Sequence, residues 1–268
     1  METFAMTAGE AIAKIQSQIP SRFRPEGVDY ILDGDPNTPV AKVAVTMMAT
    51  LDVLKRAAAA GTQLLITHEP LYFNHFNEGL DELAGDPVYE AKRAFVREHG
   101  MVVWHQHDQL HDVRPDAIDA GILWKLGWQF GSEDLVAAVP TTPLGDLVAQ
   151  IAERLNATSL RYVGDPNAAI SSVGLNLGFR GYPENRKLIA RQVADAVLVG
   201  EAWEWETGEY AVDAIELGLL KGLIVTGHIP SEQPGMEHFA NWIAPLVPEL
   251  EFTFIAAKDH YTSLEHAE

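Results

Sequence analysis

The residues with the plainest chemistry are His68 and Glu69, in the stretch Thr67-His68-Glu69-Pro70. An imidazole beside a carboxylate suits a metal ion, and either group alone can move a proton. Two other stretches repeat the theme. His105-Gln106-His107-Asp108-Gln109-Leu110-His111-Asp112 sets His107 and His111 four residues apart among acids. Gly227-His228-Ile229-Pro230-Ser231-Glu232 sets His228 and Glu232 at the same spacing. A lone histidine after a strand is ordinarily a hydrogen-bonded loop residue. Three clusters of one form point instead to a shared metal site, with zinc, iron or manganese as suitable divalent ions and carboxylates able to bridge two of them. His105 can be read either way, because a residue inside a strand can point away from a site. Asp112 reads better as a cap for the following turn than as a ligand.

Each cluster follows a short apolar run that reads as a strand: Leu64-Leu65-Ile66, Met101-Val102-Val103-Trp104 and Leu223-Ile224-Val225-Thr226. In open α/β sheets the groups that do chemistry sit just beyond the carboxyl ends of strands. Pro70 has no N–H to donate to a ladder, so the first of these strands must stop there. For the third cluster the sequence places His228 on the strand end and Glu232 at a helix start, with Ser231 as N-cap and Pro234 in the first turn.

The remaining elements supply the frame. Helices are expected over 8–19 (capped by Thr7), 51–60 (stopped by Gly61), 87–99 and 116–126, alternating with strands at 40–48, 62–66 and 101–104. That alternation implies a largely parallel sheet with covering helices. The pattern changes in the middle: strands at 134–139, 160–163, 172–178 and 195–199, a helix at 142–155, and no histidine. A helix over 210–219, an apolar helical face from Met236 to Leu246 and a strand at 251–256 complete the chain. The expected fold is α/β, with two α/β units carrying mixed sheets. Residues 133–210 form a smaller unit inserted between 1–132 and 211–268, which together make the metal-binding unit. Tyr72, Phe73 and Phe76 wall a pocket or an interface.

Composition narrows the function classes. The chain has 268 residues, 47% of them hydrophobic, and a formal net charge of −19. So acidic a surface repels nucleic-acid phosphate and anionic membranes. No apolar run approaches the ~20 residues needed to span a bilayer, and the N-terminal residues lack the basic and apolar regions of a secretory signal. There is no cysteine, which removes disulfides, thiolate metal sites and cysteine nucleophiles together. A cytoplasmic protein is expected.

At this point the motifs resemble those of the NIF-three-like dinuclear metal-centre proteins, hexameric rings sometimes called type 2 GTP cyclohydrolase I. Asp33-Gly34-Asp35-Pro36 resembles the family's "vGdp" segment, and Thr67-His68-Glu69-Pro70 its "HHP" motif. His107-Asp108-Gln109-Leu110-His111 falls at "HTNLD", Val197-Leu198-Val199-Gly200-Glu201 at "yiTGe/d", and Gly227-His228-Ile229-Pro230-Ser231-Glu232 at "GHxxsE". Two positions depart from the pattern: Glu69 stands where the family has its second His, and His111 where it has Asp. Carried over residue by residue, the resemblance implies metal ligands His68, Glu69, His111, His228 and Glu232, with His107 as a ligand or a nearby partner. The exchange leaves the set at three imidazoles and two carboxylates. The resemblance further implies two divalent ions, a homo-hexamer and a nucleotide-like or phosphoester small-molecule substrate, hydrolysed with Glu69 as general base if it is not a ligand. There is no phosphate-cradling Gly-x-x-x-x-Gly-Lys loop and no evident basic patch, so a non-catalytic metal-binding scaffold is the alternative.

Overall fold

The computed structural model describes residues 6–133 and 135–264. The chain divides into two compact units, Met1–Ile118 with Gly235–Ala257, and Asp119–Pro234 with Lys258–Glu268. Each is an α/β unit with its own mixed sheet.

The first unit's sheet has five strands, in the order Glu251–Phe254, Lys42–Thr46, Leu64–Thr67, Val102–His105, Ile31–Asp33. The first four run parallel, and Ile31–Asp33 lies antiparallel on Val102–His105. Leu64–Thr67 and Val102–His105 are buried at every position, as befits parallel strands covered on both faces. Thr46 pairs with Thr67, and Thr67 with His105. Three strands therefore finish level, and the residues after them leave the sheet side by side. The helices that separate these strands begin and end where local chemistry requires. Thr7 and Glu10 form a reciprocal capping box ahead of Ala8–Gln18, Thr50 caps Leu51–Ala59, and Asp86 with Pro87 opens Pro87–Glu98. Gly61, at φ +72°, turns the chain out of its helix in the left-handed region.

The second unit's sheet has six strands, in the order Gln129–Phe130, Val136–Pro143, Ala169–Asn176, Ala196–Val199, Gly222–Val225, Arg161–Val163. Three adjacent strands, Ala169–Asn176, Ala196–Val199 and Gly222–Val225, are parallel, and the others join antiparallel. Side chains alternate across it: Ala196, Leu198 and Ile224 pack with the helix Leu144–Leu155, while Val197, Val199 and Leu223 pack with Leu188, Ala211 and Ala214.

Several element bounds differ from the sequence reading. The strand expected from 134 is Val136–Pro143, and Asp134 lies outside the described residues. It takes in Thr142, assigned above to a helix, because a residue before proline is pushed out of the α region; Thr142 pairs with Ile170. Gly222–Val225, assigned above to the metal-binding unit, pairs in parallel with Ala196–Val199 in the second unit's sheet. Ile122, Leu123 and Leu126 pack in the second unit's core, so the first junction falls before them rather than at 132. Among the described residues no helix is long and apolar enough to cross a membrane.

Candidate metal centre

In the first unit, strand register brings the histidines together. The Gln106 amide donates to the Thr67 carbonyl at 2.9 Å, one step beyond the Thr67–His105 pair. His68 and His107 therefore emerge from neighbouring strands, and their rings stack with centroids 4.5 Å apart. The buried Asp29 carboxylate accepts the backbone N–H groups of His107, Asp108 and Gln109 at 2.6, 2.9 and 2.8 Å. It fixes the short helix Asp108–His111, which returns His111 to 4.6 Å from the His107 ring and 5.1 Å from the His68 ring. One donor atom from each of these three histidines lies within 4.8 Å of the others.

The hydrogen bonds select which nitrogen each ring presents. His68 Nδ1 lies 3.1 Å from the Gln106 carbonyl oxygen, His107 Nδ1 3.0 Å from Asp108 Oδ1, and His111 Nδ1 2.8 Å from Asp116 Oδ2. A carbonyl or an ionised carboxylate only accepts, so each Nδ1 carries the proton and each Nε2 keeps its lone pair. Tying down the distal N–H in this way is how proteins orient metal-binding imidazoles. Burial, reinforced by His107 and His111, holds the His68 imidazole well below its ordinary range. It is therefore neutral near pH 7, the form that binds metal. The donor set fits a divalent transition ion on chemistry and on spacing.

Glu69 lies beside this cluster. Its backbone N–H donates to the Met47 carbonyl at 2.9 Å, and a carboxylate oxygen falls within 4.8 Å of a His68 ring nitrogen. Asp112 is ion-paired with Arg24 at 2.7 Å. His105 is fully buried and its Nε2 donates to the His68 carbonyl at 2.8 Å. The sequence reading left His75 out of the site. Its ring sits 4.7 Å from His107 and 5.6 Å from His105, centroid to centroid. The signal available was its place seven residues after His68, obscured by the aromatic run around it. Tyr72 in that run is buried and donates to Asp33 at 2.7 Å, whereas Phe73 and Phe76 are exposed.

In the second unit, His228 and Glu232 are brought together by a helix that starts earlier than the sequence suggests. The helix is His228–Ile243, with Pro234 inside it. His228 thus opens the helix rather than ending the strand, and the i, i+4 spacing puts Glu232 on its face: His228 Nε2 to Glu232 Oε2 is 3.1 Å. Gly227, at φ +93°, makes the tight turn from strand to helix. Ser231 is not the N-cap; its hydroxyl donates to the His228 carbonyl at 2.7 Å and accepts the Gly178 N–H at 3.1 Å. Glu201 accepts from His228 Nδ1 at 2.7 Å, so the second unit also uses a carboxylate to hold its imidazole. Glu201 and Asp116 were missed as partners of the site. His68, Glu69, His107 and His111 thus gather in the first unit, and His228 and Glu232 in the second.

Comparison with known proteins places this chain in a family. The family described as Duf34/NIF3 (NGG1p interacting factor 3) matches residues 6–260. A GTP cyclohydrolase 1 type 2 homolog of Clostridium perfringens is 23% identical over 225 residues, covering 78% of this chain and 80% of that protein. One from Clostridium acetobutylicum is 22% identical over 223 residues, 77% of each. Among solved structures, the Staphylococcus aureus hypothetical protein SA1388 superposes with a TM-score of 0.77 at 18% identity, over 97% of this chain and 100% of that one. A Bacillus cereus protein related to NIF3 does so at 0.76 and 14%, over 96% and 99%. These structures share the mixed α/β fold, and the chain belongs to the Duf34/NIF3 family.

Proposed function

We propose that this protein is a metal-dependent hydrolase acting on a nucleotide-like or phosphoester small molecule at a dinuclear centre. The observation that carries the reading is the His68–His107–His111 cluster, three imidazoles each with Nδ1 engaged by an acceptor and donor atoms within 4.8 Å. His68, Glu69, His107 and His111 are the ligands offered by the first unit, and His228 and Glu232 those offered by the second. Their joint use belongs to the proposal. Zinc, iron or manganese suits this set. When bound, such ions supply Lewis acidity towards a substrate oxygen and ease the deprotonation of water. The protein's own part is positional and protic. Asp108, Asp116 and Glu201 hold the imidazoles, and Glu69, where it is not a ligand, takes the proton of the attacking water. The names of the relatives support a nucleotide-like substrate. Exposed Phe179 and Trp203, with ring centroids 6.0 Å apart, offer a stacking surface for a planar ring.

A second reading, a metal-binding scaffold without turnover, draws on the acidic balance of the chain. Arg24, whose partner Asp108 adjoins His107, is committed to Asp108 and Asp112 and does not serve a phosphate. Metal analysis of the purified protein, followed by turnover on a panel of nucleotides and phosphoesters before and after chelation, separates the two. Chelator-sensitive hydrolysis is the expected result. Bound metal with no turnover across the panel favours the scaffold, and absence of metal after metal-supplemented expression overturns both.

A further inference from the structure

The His75 side of the cluster adds a donor that the centre just described does not use. One donor atom each from His75, His107 and Asp108 lies within 4.8 Å of the others. His107 Nδ1 and Asp108 Oδ1 are 3.0 Å apart. That is a hydrogen-bond distance, and it is also the separation of two ligands on one ion with bonds of about 2.0–2.1 Å. Asp108 spends its other oxygen on the Val28 N–H at 3.3 Å and Arg24 at 3.4 Å, leaving Oδ1 for this side.

His105 supplies a second, independent observation. Its Nε2–H is donated to the His68 carbonyl, so Nδ1 carries the lone pair. That Nδ1 is buried and has no hydrogen-bond partner among the described residues, and the residue is fully buried. A buried acceptor of this kind is rare without a donor or a cation to satisfy it. The His105 ring lies 5.6 Å from His75 and 5.8 Å from His107. The His75 and His105 rings thus both lie against His107, beside the Asp108 carboxylate.

We propose that His75, His107 and Asp108, with His105 beside them, form an additional binding site for a divalent late transition ion such as Zn²⁺, sharing the His107 ring with the His68–His107–His111 cluster. An imidazole-rich set with one carboxylate is suited to zinc. Where the ion binds His107 Nδ1, the proton there moves to Nε2 if the His68–His107–His111 cluster is empty, and leaves for solvent if His107 Nε2 is itself a ligand. The proposal rests on the metal-binding reading of the first unit but not on turnover.

The test is zinc uptake by the full-length, metal-stripped protein. Stoichiometry is counted by elemental analysis. His75→Gln, in a half-buried loop position, is expected to bind one fewer equivalent than wild type. His75→Asn is expected to do the same and carries the test if His75→Gln does not fold. In a His68→Asn background, which breaks the His68–His107–His111 cluster, the His75-dependent equivalent is expected to remain. Equal stoichiometry in wild type, His75→Gln and His75→Asn overturns the additional site while leaving the centre above intact. A wild-type protein that takes up no zinc overturns both.

Discussion

His111 Nδ1 and Asp116 Oδ2 are 2.8 Å apart, and this bond determines which face of the imidazole is available to an ion. The other Asp116 oxygen accepts the Ile118 N–H at 2.8 Å and caps the helix Ala117–Leu126. Asp116→Asn keeps an oxygen for the cap but replaces the charged acceptor at His111. Loss of such an orienting partner typically weakens metal affinity by about 10–100-fold. We expect that loss with little change in melting temperature, measured by competition with a chromophoric chelator. Affinity within about twofold of wild type would count against a ligand role for His111.

Gly178 is packed against the second unit's donors. Its φ is +63°, and a Cβ there would collide with the Glu232 carboxylate. A left-handed conformation costs a non-glycine residue about 1–2 kcal/mol. Gly178→Ala is therefore expected to lower stability by at least that amount in urea unfolding. It should also weaken metal binding by displacing Glu232 from His228. Unchanged stability and metal content together would contradict the packing described here.

Glu69 and His111 depart from the family pattern in opposite directions, and each lies beside His68. If they serve the same ion, Glu69→His alone leaves the site one negative charge short and His111→Asp alone leaves it one in excess. Each single change should weaken metal binding, and the double change should recover much of it. Such non-additivity is characteristic of contacting residues. Metal titration of the four proteins in one buffer decides the matter, with strict additivity ruling out compensation.

Burial, with His107 adding, pushes the His105 imidazole down to about 4. The unfolded chain protonates this group near its ordinary value of about 6.5 and so binds the proton more tightly than the folded chain does. The stability tied to neutral His105 is fully present above about pH 6.5 and is lost as pH falls from there towards 4, about 3 kcal/mol in all. His68 is shifted in the same direction. The metal-free protein should therefore unfold at lower urea concentration at pH 4.5 than at pH 7.5. His105→Gln should flatten that dependence. A pH-independent midpoint across this range would refute the assignment.

We propose a homo-hexamer, on the family likeness. Phe73 and Phe76 are 62% and 61% exposed in the single chain, and a subunit contact would cover them. Light scattering at micromolar concentration should give a hexameric mass, and Phe76→Ser should lower it. A monomeric wild type refutes the proposal.

What the sequence by itself determined is what is local along the chain. Apolar runs ending in His and acid, caps such as Thr7 and Asp86, and the glycine that stops a helix at Gly61 all act over a few residues. They set the strands Leu64–Thr67 and Val102–His105 and the helices around them, and they make the α/β class and the donor-bearing stretches legible. The tertiary structure decided everything that depends on partners distant in sequence. Asp29 caps a turn 78 residues away, and Glu201 holds a histidine 27 residues away. His75 joins the cluster through ring contacts with His105 and His107, at and just beyond the end of another strand. The start of the helix at His228 and the place of Gly222–Val225 in the second sheet are likewise set by packing and strand pairing. Periodicity and propensity report which conformation a segment prefers. They carry no information about which strand a buried apolar strand pairs with, or which carboxylate reaches an imidazole, because those choices are made by long-range contacts that form only when the chain is folded.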